Sequence, residues 1–304
     1  MKKTKYQFDK FLSSINKCYS EDCQKRLPKQ KDFPSHLFDS KVNLIEEKLL
    51  DFSKEINDSY IKSISLRMLA IIKILNARES NKELDINSVW ELVSESIQLL
   101  PKECTISSIG SQGFLSIPLF KYEQDISQFD FIRLHIWDKE LSKFIDTKKC
   151  EKFSIHTHSF FAESWPICGK IVNDRFEAKE SKSKTKNSLF TVQYNKSLNE
   201  VNQHTSKAVN TGINIELKQI SHEVYMSGSH YQIDAGKYHR SISIGENDVG
   251  ATFFSFTAKN GLVSQSYVVG ESEIDSSEIN RKMYIEPTKF LKKINNEIEN
   301  ARKP

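Results

Sequence analysis

Phe153-Ser154-Ile155-His156-Thr157-His158-Ser159-Phe160-Phe161-Ala162-Glu163-Ser164-Trp165-Pro166-Ile167-Cys168-Gly169 holds the densest chemistry in the chain. β-Favouring residues at both ends of this stretch predict two short strands joined by a loop. Side chains alternate along a strand, so His156 and His158 share one face while Ile155 and Thr157 take the other. Their Cα atoms then stand roughly 7 Å apart, near enough for both imidazoles to converge on one ion. Glu163 and Trp165 share a face of the returning strand, which brings a carboxylate toward the same point. Two neutral imidazoles and a carboxylate suit a divalent transition metal such as iron, zinc, manganese, nickel or copper.

The surrounding 304 residues are 38% hydrophobic and 28% charged, the balance of an ordinary globular protein with room for a substantial core. A formal charge of +4, from 44 basic and 40 acidic residues, is too even to indicate nucleic-acid binding. Ten glycines are few for this length, and neither GxxxxGK[ST] nor GxGxxG occurs, which argues against a phosphate loop. The basic start Met1-Lys2-Lys3-Thr4-Lys5 lacks an apolar segment after it, and no run of about 18 apolar residues exists, so neither a secretory signal nor a membrane span is expected. Cys18, Cys23, Cys104, Cys150 and Cys168 are odd in number, scattered and free of any CxxC pair. That pattern predicts reduced thiols and a cytoplasmic location.

Helical periodicity dominates the first third. Expected helices cover about residues 6–19, 39–56, 60–77 and 87–100, the third being the most apolar, with Asn87 or Ser88 capping the fourth. From about residue 103 the texture changes to short β-rich runs at 113–120, 129–137, 153–157, 165–176, 189–194, 213–220, 223–227, 229–233, 239–244, 251–257 and 263–269. Such spacing signals a sandwich or barrel rather than a parallel α/β sheet. The polar run 177–186 reads as a solvated hairpin tip, and Pro287 opens a last helix. The expected organisation is a helical region over residues 1–102 and a β-barrel domain with a C-terminal helix over 103–304.

A further histidine lies in Tyr231-Gln232-Ile233-Asp234-Ala235-Gly236-Lys237-Tyr238-His239, where a turn on Asp234-Ala235-Gly236 delivers His239 to the start of a strand. Together the two stretches resemble the cupins. His156 and His158 match that family's histidine pair, Glu163 its glutamate and Gly169 the glycine closing the first motif; Gly236 and His239 match the second motif. Asp234 stands where the family's proline usually is, and Glu163 to Gly169 is one residue shorter than usual. The resemblance covers roughly residues 110–270. It implies a mainly β protein built on a double-stranded β-helix, with helices before and after it. It also implies a divalent metal, Fe(II) first and Zn, Mn, Ni or Cu as alternatives, held by His156, His158 and His239, with Glu163 left open as a fourth ligand.

Two functions follow from that reading. One is an Fe(II)-dependent oxygenase of the dioxygenase type, acting on a small polar molecule. The other is a non-enzymatic small-molecule sensor or interaction protein that contacts a protein partner through its helical region. Neither implies a membrane or a nucleic acid. His135 is expected to line the barrel, and His230 to lie on the surface unless it replaces a ligand. In the strand after Gly236, alternation puts His239 and Ser241 inward and Arg240 outward.

Overall fold

The structure is a computed structural model, and it describes residues 7–41, 43–80, 82–109, 112–194, 205–244, 249–280 and 282–302. Its helices are α1 (Phe8–Asn16), α2 (Glu21–Gln24), α3 (Glu46–Glu55), α4 (Ser59–Ser80), α5 (Ile86–Gln98), α6 (Thr147–Lys152) and α7 (Thr288–Ala301). Its strands are β1 (Ser108–Ile109), β2 (Leu115–Tyr122), β3 (Asp130–Trp137), β4 (Phe160–Cys168), β5 (Lys170–Glu180), β6 (Asn187–Tyr194) and β7 (Thr205–Tyr225). They continue with β8 (Tyr231–Ile233), β9 (Tyr238–Ile244), β10 (Gly250–Leu262), β11 (Val268–Glu271), β12 (Ser276–Asn280) and β13 (Lys282–Met283).

All strand pairs among the described residues are antiparallel and form two sheets. The first has the order β13-β1-β2-β3-β10-β4-β8 and the second β11-β6-β7-β5-β9, with β12 beside β7. His156 makes bridges to His239 of β9 and to Val268 of β11, so the segment around it closes the second sheet into a ring. The chain passes from β3 in the first sheet to the His156 segment of the second, back to β4 in the first, and across again to β5. With β3-β10-β4-β8 facing the His156 segment, β9, β5 and β7, this is the strand order of a double-stranded β-helix.

The first sheet is buried on both faces. Along β3, Ile132, Leu134 and Ile136 face the helices and belong to one apolar core with Phe8, Phe11, Met68, Leu69, Trp90 and Leu291. The alternate positions Phe131, Arg133, His135 and Trp137 line the space between the sheets. Helix α4 lies beneath other helices and against this sheet, which is why it is buried nearly all round: Ile64, Met68, Leu69, Ile71 and Leu75 are all inaccessible. None of the described residues before Ser108 contributes a strand to either sheet, although the helices and the sheet share that single core. Arg78 of α4 crosses to the sheet, donating through Nη1 to Asp130 Oδ1 at 2.8 Å and to Ser255 Oγ at 2.8 Å, and through Nη2 to Asp130 Oδ2. No described helix is long and apolar enough to cross a membrane.

Several expectations need correction. The 39–56 helix begins only at Glu46, and α5 is capped by Asp85, whose carboxylate accepts from the Ser88 amide, rather than by Asn87 or Ser88. Residues 153–157 form no regular strand: α6 ends at Lys152, and only His156 makes bridges. The 165–176 run is two strands broken at Gly169, where φ is 74° and a Cβ would collide with the Val249 carbonyl. Conversely, the two runs 213–220 and 223–227 belong to one long strand, β7. Cys23 and Cys104 are joined in a disulfide with Cα atoms 5.0 Å apart, whereas the sequence pattern led us to expect every thiol reduced; Cys18, Cys150 and Cys168 form no disulfide. Spacing carried no sign of that pair, because its members stand 81 positions apart in the chain.

The Arg78–Asp130 pair makes a direct test of how firmly the helices are tied to the sheet. Both side chains are under 10% exposed, so removing one partner strands a buried charge. Arg78→Met is expected to lower the unfolding free energy by about 3–5 kcal/mol in urea titrations, and adding Asp130→Leu to restore most of it.

Candidate metal centre

His156, His158 and His239 come together between the two sheets, with their ligand atoms all within 4.8 Å of one another. Each arrives by a different local device. His156 exchanges both backbone hydrogen bonds with His239, at 3.0 and 2.9 Å, so the two are directly opposed. On its other side the same segment is gripped by β11, with Thr157 donating to the Tyr267 carbonyl and Val269 donating to the Ile155 carbonyl, both at 2.8 Å. His239 enters through the turn at Gly236, whose φ is 77° and whose amide donates to the His158 carbonyl at 2.8 Å. That bond places the third histidine beside the other two.

Two of the three rings are held in one tautomer. His156 Nδ1 lies 2.8 Å from the Ser154 carbonyl, which can only accept, so Nδ1 carries the proton. His239 Nδ1 lies 3.1 Å from Asn173 Oδ1, which likewise accepts. In both, Nε2 is left with a lone pair directed inward. His158 Nε2 sits between them, 2.8 Å from His156 Nε2 and 2.9 Å from His239 Nε2. A single proton on His158 Nε2 satisfies one of these contacts and never both. At least one of them has no proton shared between its two nitrogens, and only a cation lying between them would make that contact attractive. Two nitrogens at right angles on an ion about 2.1 Å from each would stand about 3 Å apart, close to the spacing found. The donor set therefore fits a divalent metal. His158 Nδ1 is buried with no protein partner.

Burial keeps the imidazoles neutral, as ligands must be. Desolvation pushes His156 down to about 4, against a smaller upward pull from the Ser154 carbonyl. His158 is held well below the ordinary histidine range by desolvation first, then by His156 and Arg133. His239 is lowered in the same way, by desolvation and then by His156, His158 and Arg175.

Glu163 is not in this group. It pairs in register with Ser255, and Ser255 accepts from Arg78 of α4 while its neighbours Phe254 and Phe256 line the inter-sheet cavity. Glu163 thus points to the helix side, where its Oε1 accepts from Gln232 Nε2 at 2.8 Å and lies 3.5 Å from His230 Nε2. It does share a face with Trp165, as alternation predicts, but that face is the outer one. His230 stacks on Trp165 with ring centroids 5.1 Å apart and belongs to this outer cluster, so it does not replace a ligand. His135 lines the cavity between Phe114 and Phe254, at 4.2 and 5.0 Å. Ser241 also lines it, whereas Arg240 turns outward to pair with Asp174.

Sequence reasoning placed His135 in the barrel but passed over Asn173 and the other cavity-lining residues of β3. The alternation Phe131, Arg133, His135, Trp137 was a usable signal for the latter; Asn173 had none, because its role depends on which strand pairs with β9.

A scan of the sequence against known protein families finds no match, and a search of curated proteins finds no relative. Among solved structures, the chain is similar to the crystal structure of Fe(II) HppE, at 9% identity and a TM-score of 0.28, covering 69% of this chain and 96% of that one. It is similar also to hydroxypropylphosphonic acid epoxidase from S. wedmorenis, at 9% identity and a TM-score of 0.27, covering 69% and 95%. At these scores the likeness carries no argument about the site.

Because the three histidines titrate far lower when folded than when unfolded, the unfolded chain binds more protons below about pH 6.5. The metal-free protein should lose stability steadily as pH falls from about 6.5 through about 4, the folded value for His156. Urea titrations at several pH values read this directly; a flat profile across that window would show that the imidazoles are not desolvated.

Proposed function

We propose that the protein is a metal-dependent enzyme of the cupin type, in which His156, His158 and His239 hold one divalent ion. The observation that carries this reading is the pair of Nε2 contacts at 2.8 and 2.9 Å among three rings, two of which have their protons fixed on the far nitrogen. Three neutral nitrogen donors without a carboxylate suit Fe(II), and also Zn, Mn, Ni or Cu. When bound, iron would supply oxygen chemistry, and zinc or manganese Lewis acidity. We favour an Fe(II) oxygenase, because the donors are crowded to one side and the aromatic cavity beyond them can exclude water from a reactive centre.

The chain's own residues have defined tasks in this reading. Ser154 and Asn173 orient two of the ligands and raise their basicity through Nδ1–H bonds, as outer partners of metal-bound histidines do. Phe254 and Phe256 pack against His158, at 5.7 and 4.8 Å, and fix its ring. Glu163 takes no part.

Metal analysis of tag-free protein, reconstituted in turn with iron, zinc, manganese, nickel and copper, tests the proposal. One ion per chain is expected with at least one of these metals. Alanine at His158 or His239 should abolish stoichiometric binding, Asn173→Ala should weaken it about 10–100-fold, and Glu163→Gln should leave it unchanged. Absence of stoichiometric metal throughout would end the metal reading; oxygen consumption by the iron form separates an oxygenase from a Lewis-acid enzyme.

A further inference from the structure

The cavity beyond the histidines has a volume of about 190 Å³, and many of the described side chains lining it are aromatic. An apolar cavity of about 150 Å³ holds a benzene molecule, so this one has room for a ligand of about one six-membered ring. His135 and Trp137 of β3 also line it. They share one face of the strand and are buried, at 4% and 9% exposure. Neither His135 Nε2 nor Trp137 Nε1 has a hydrogen-bond partner. Thr252, directly opposite His135 on β10, has a buried Oγ1 in the same condition. A buried indole N–H ordinarily finds an acceptor, and that of Trp90 donates to Asn295 Oδ1 at 2.7 Å. Packing fixes the His135 ring, with Phe114 and Phe254 at 4.2 and 5.0 Å between centroids. Phe254 also lies against His158 at 5.7 Å, so one phenyl ring touches both this polar patch and the metal centre. Desolvation first, then Arg133, His158 and His156, hold His135 well below the ordinary histidine range, so it meets a ligand as a neutral imidazole.

We infer that His135, with Trp137 beside it, positions the substrate by hydrogen-bonding a hydroxyl or carbonyl oxygen on a ring-sized, otherwise apolar molecule whose reacting end lies at the three-histidine centre. This rests on the metal reading above and narrows the expectation of a small polar molecule to one with a single polar handle. The indole and the neutral imidazole each offer an N–H to an oxygen acceptor, and the imidazole keeps a lone pair for a hydroxyl proton. A site whose buried polar groups are paired only by the right ligand rejects an analogue that lacks the matching group. The phenylalanines on either side supply apolar surface for the rest of the molecule. His135 is thus a specificity determinant and not a further ligand of the ion.

Phenol and toluene have nearly the same shape and differ in the hydroxyl, so their relative affinity reads this contact. Both are titrated by calorimetry into the full-length protein, as purified and again after chelation, with metal content measured on each sample. Toluene leaves water more readily, yet the native protein should bind phenol at least as tightly. His135→Leu should shift the affinity ratio about ten-fold or more toward toluene while toluene itself binds as before, a change that a packing role alone would not produce. Trp137→Phe should shift the ratio the same way by less. Native protein that prefers toluene, or binds neither molecule, overturns the inference, and so does a ratio that His135→Leu leaves unchanged. If the Leu variant does not fold, the ratio on chelated native protein decides, since phenol cannot gain there by binding an ion. The metal content of the same samples reports on the metal reading separately, so either can fail without the other.

Discussion

The reciprocal backbone pairing of His156 with His239 is the contact on which the rest depends. It closes the second sheet, because the segment carrying His156 is inserted between β9 and β11. It also brings together side chains that lie far apart in the chain. Fold closure and site assembly are therefore the same event. The unfolded chain does not hold His239 beside the other two histidines, so an ion bound here would act as a folding ligand. The turn at Gly236 belongs to the same unit, since its amide caps the carbonyl of His158.

The helical third answers a different need. An antiparallel sheet commonly leaves one face to water, but β3 has Ile132, Leu134 and Ile136 on its outer face and aromatic residues on its inner one. Without α1, α4, α5 and α7 that outer face would be a large exposed apolar patch. The helices remove it from water, and Arg78 sets their position through Asp130 and Ser255. One strand thus serves the core on one side and the cavity on the other, with the period of two deciding which residue does which.

Much of this was legible in the amino-acid order. The switch from helical to alternating periodicity near residue 103, the burial of α4 and the convergence of His156, His158 and His239 follow from local pattern and one glycine turn. Glu163 shows where such reasoning stops. Its alternation with Trp165 was right, but the face they share depends on where the chain crosses from one sheet to the other. That crossing occurs at Ser159, between the His158 segment and β4, so a strand taken for the return arm of a hairpin lies in the opposite sheet. The cap of α5 and the Cys23–Cys104 bond escaped for related reasons, since one turns on a shift of two residues and the other on tertiary proximity.

Closing the second sheet also changes how the molecule meets its own kind. A strand with unpaired amides and carbonyls is a template onto which another chain can add. Here His156 bridges the free side of β9 at His239 and that of β11 at Val268, and the other strands ending a sheet among the described residues are β8, β12 and β13, of three, five and two residues. The histidine that anchors the site thus also conceals backbone that could nucleate strand-to-strand association, so loosening that segment would expose sticky edges at the same moment that it dismantles the centre.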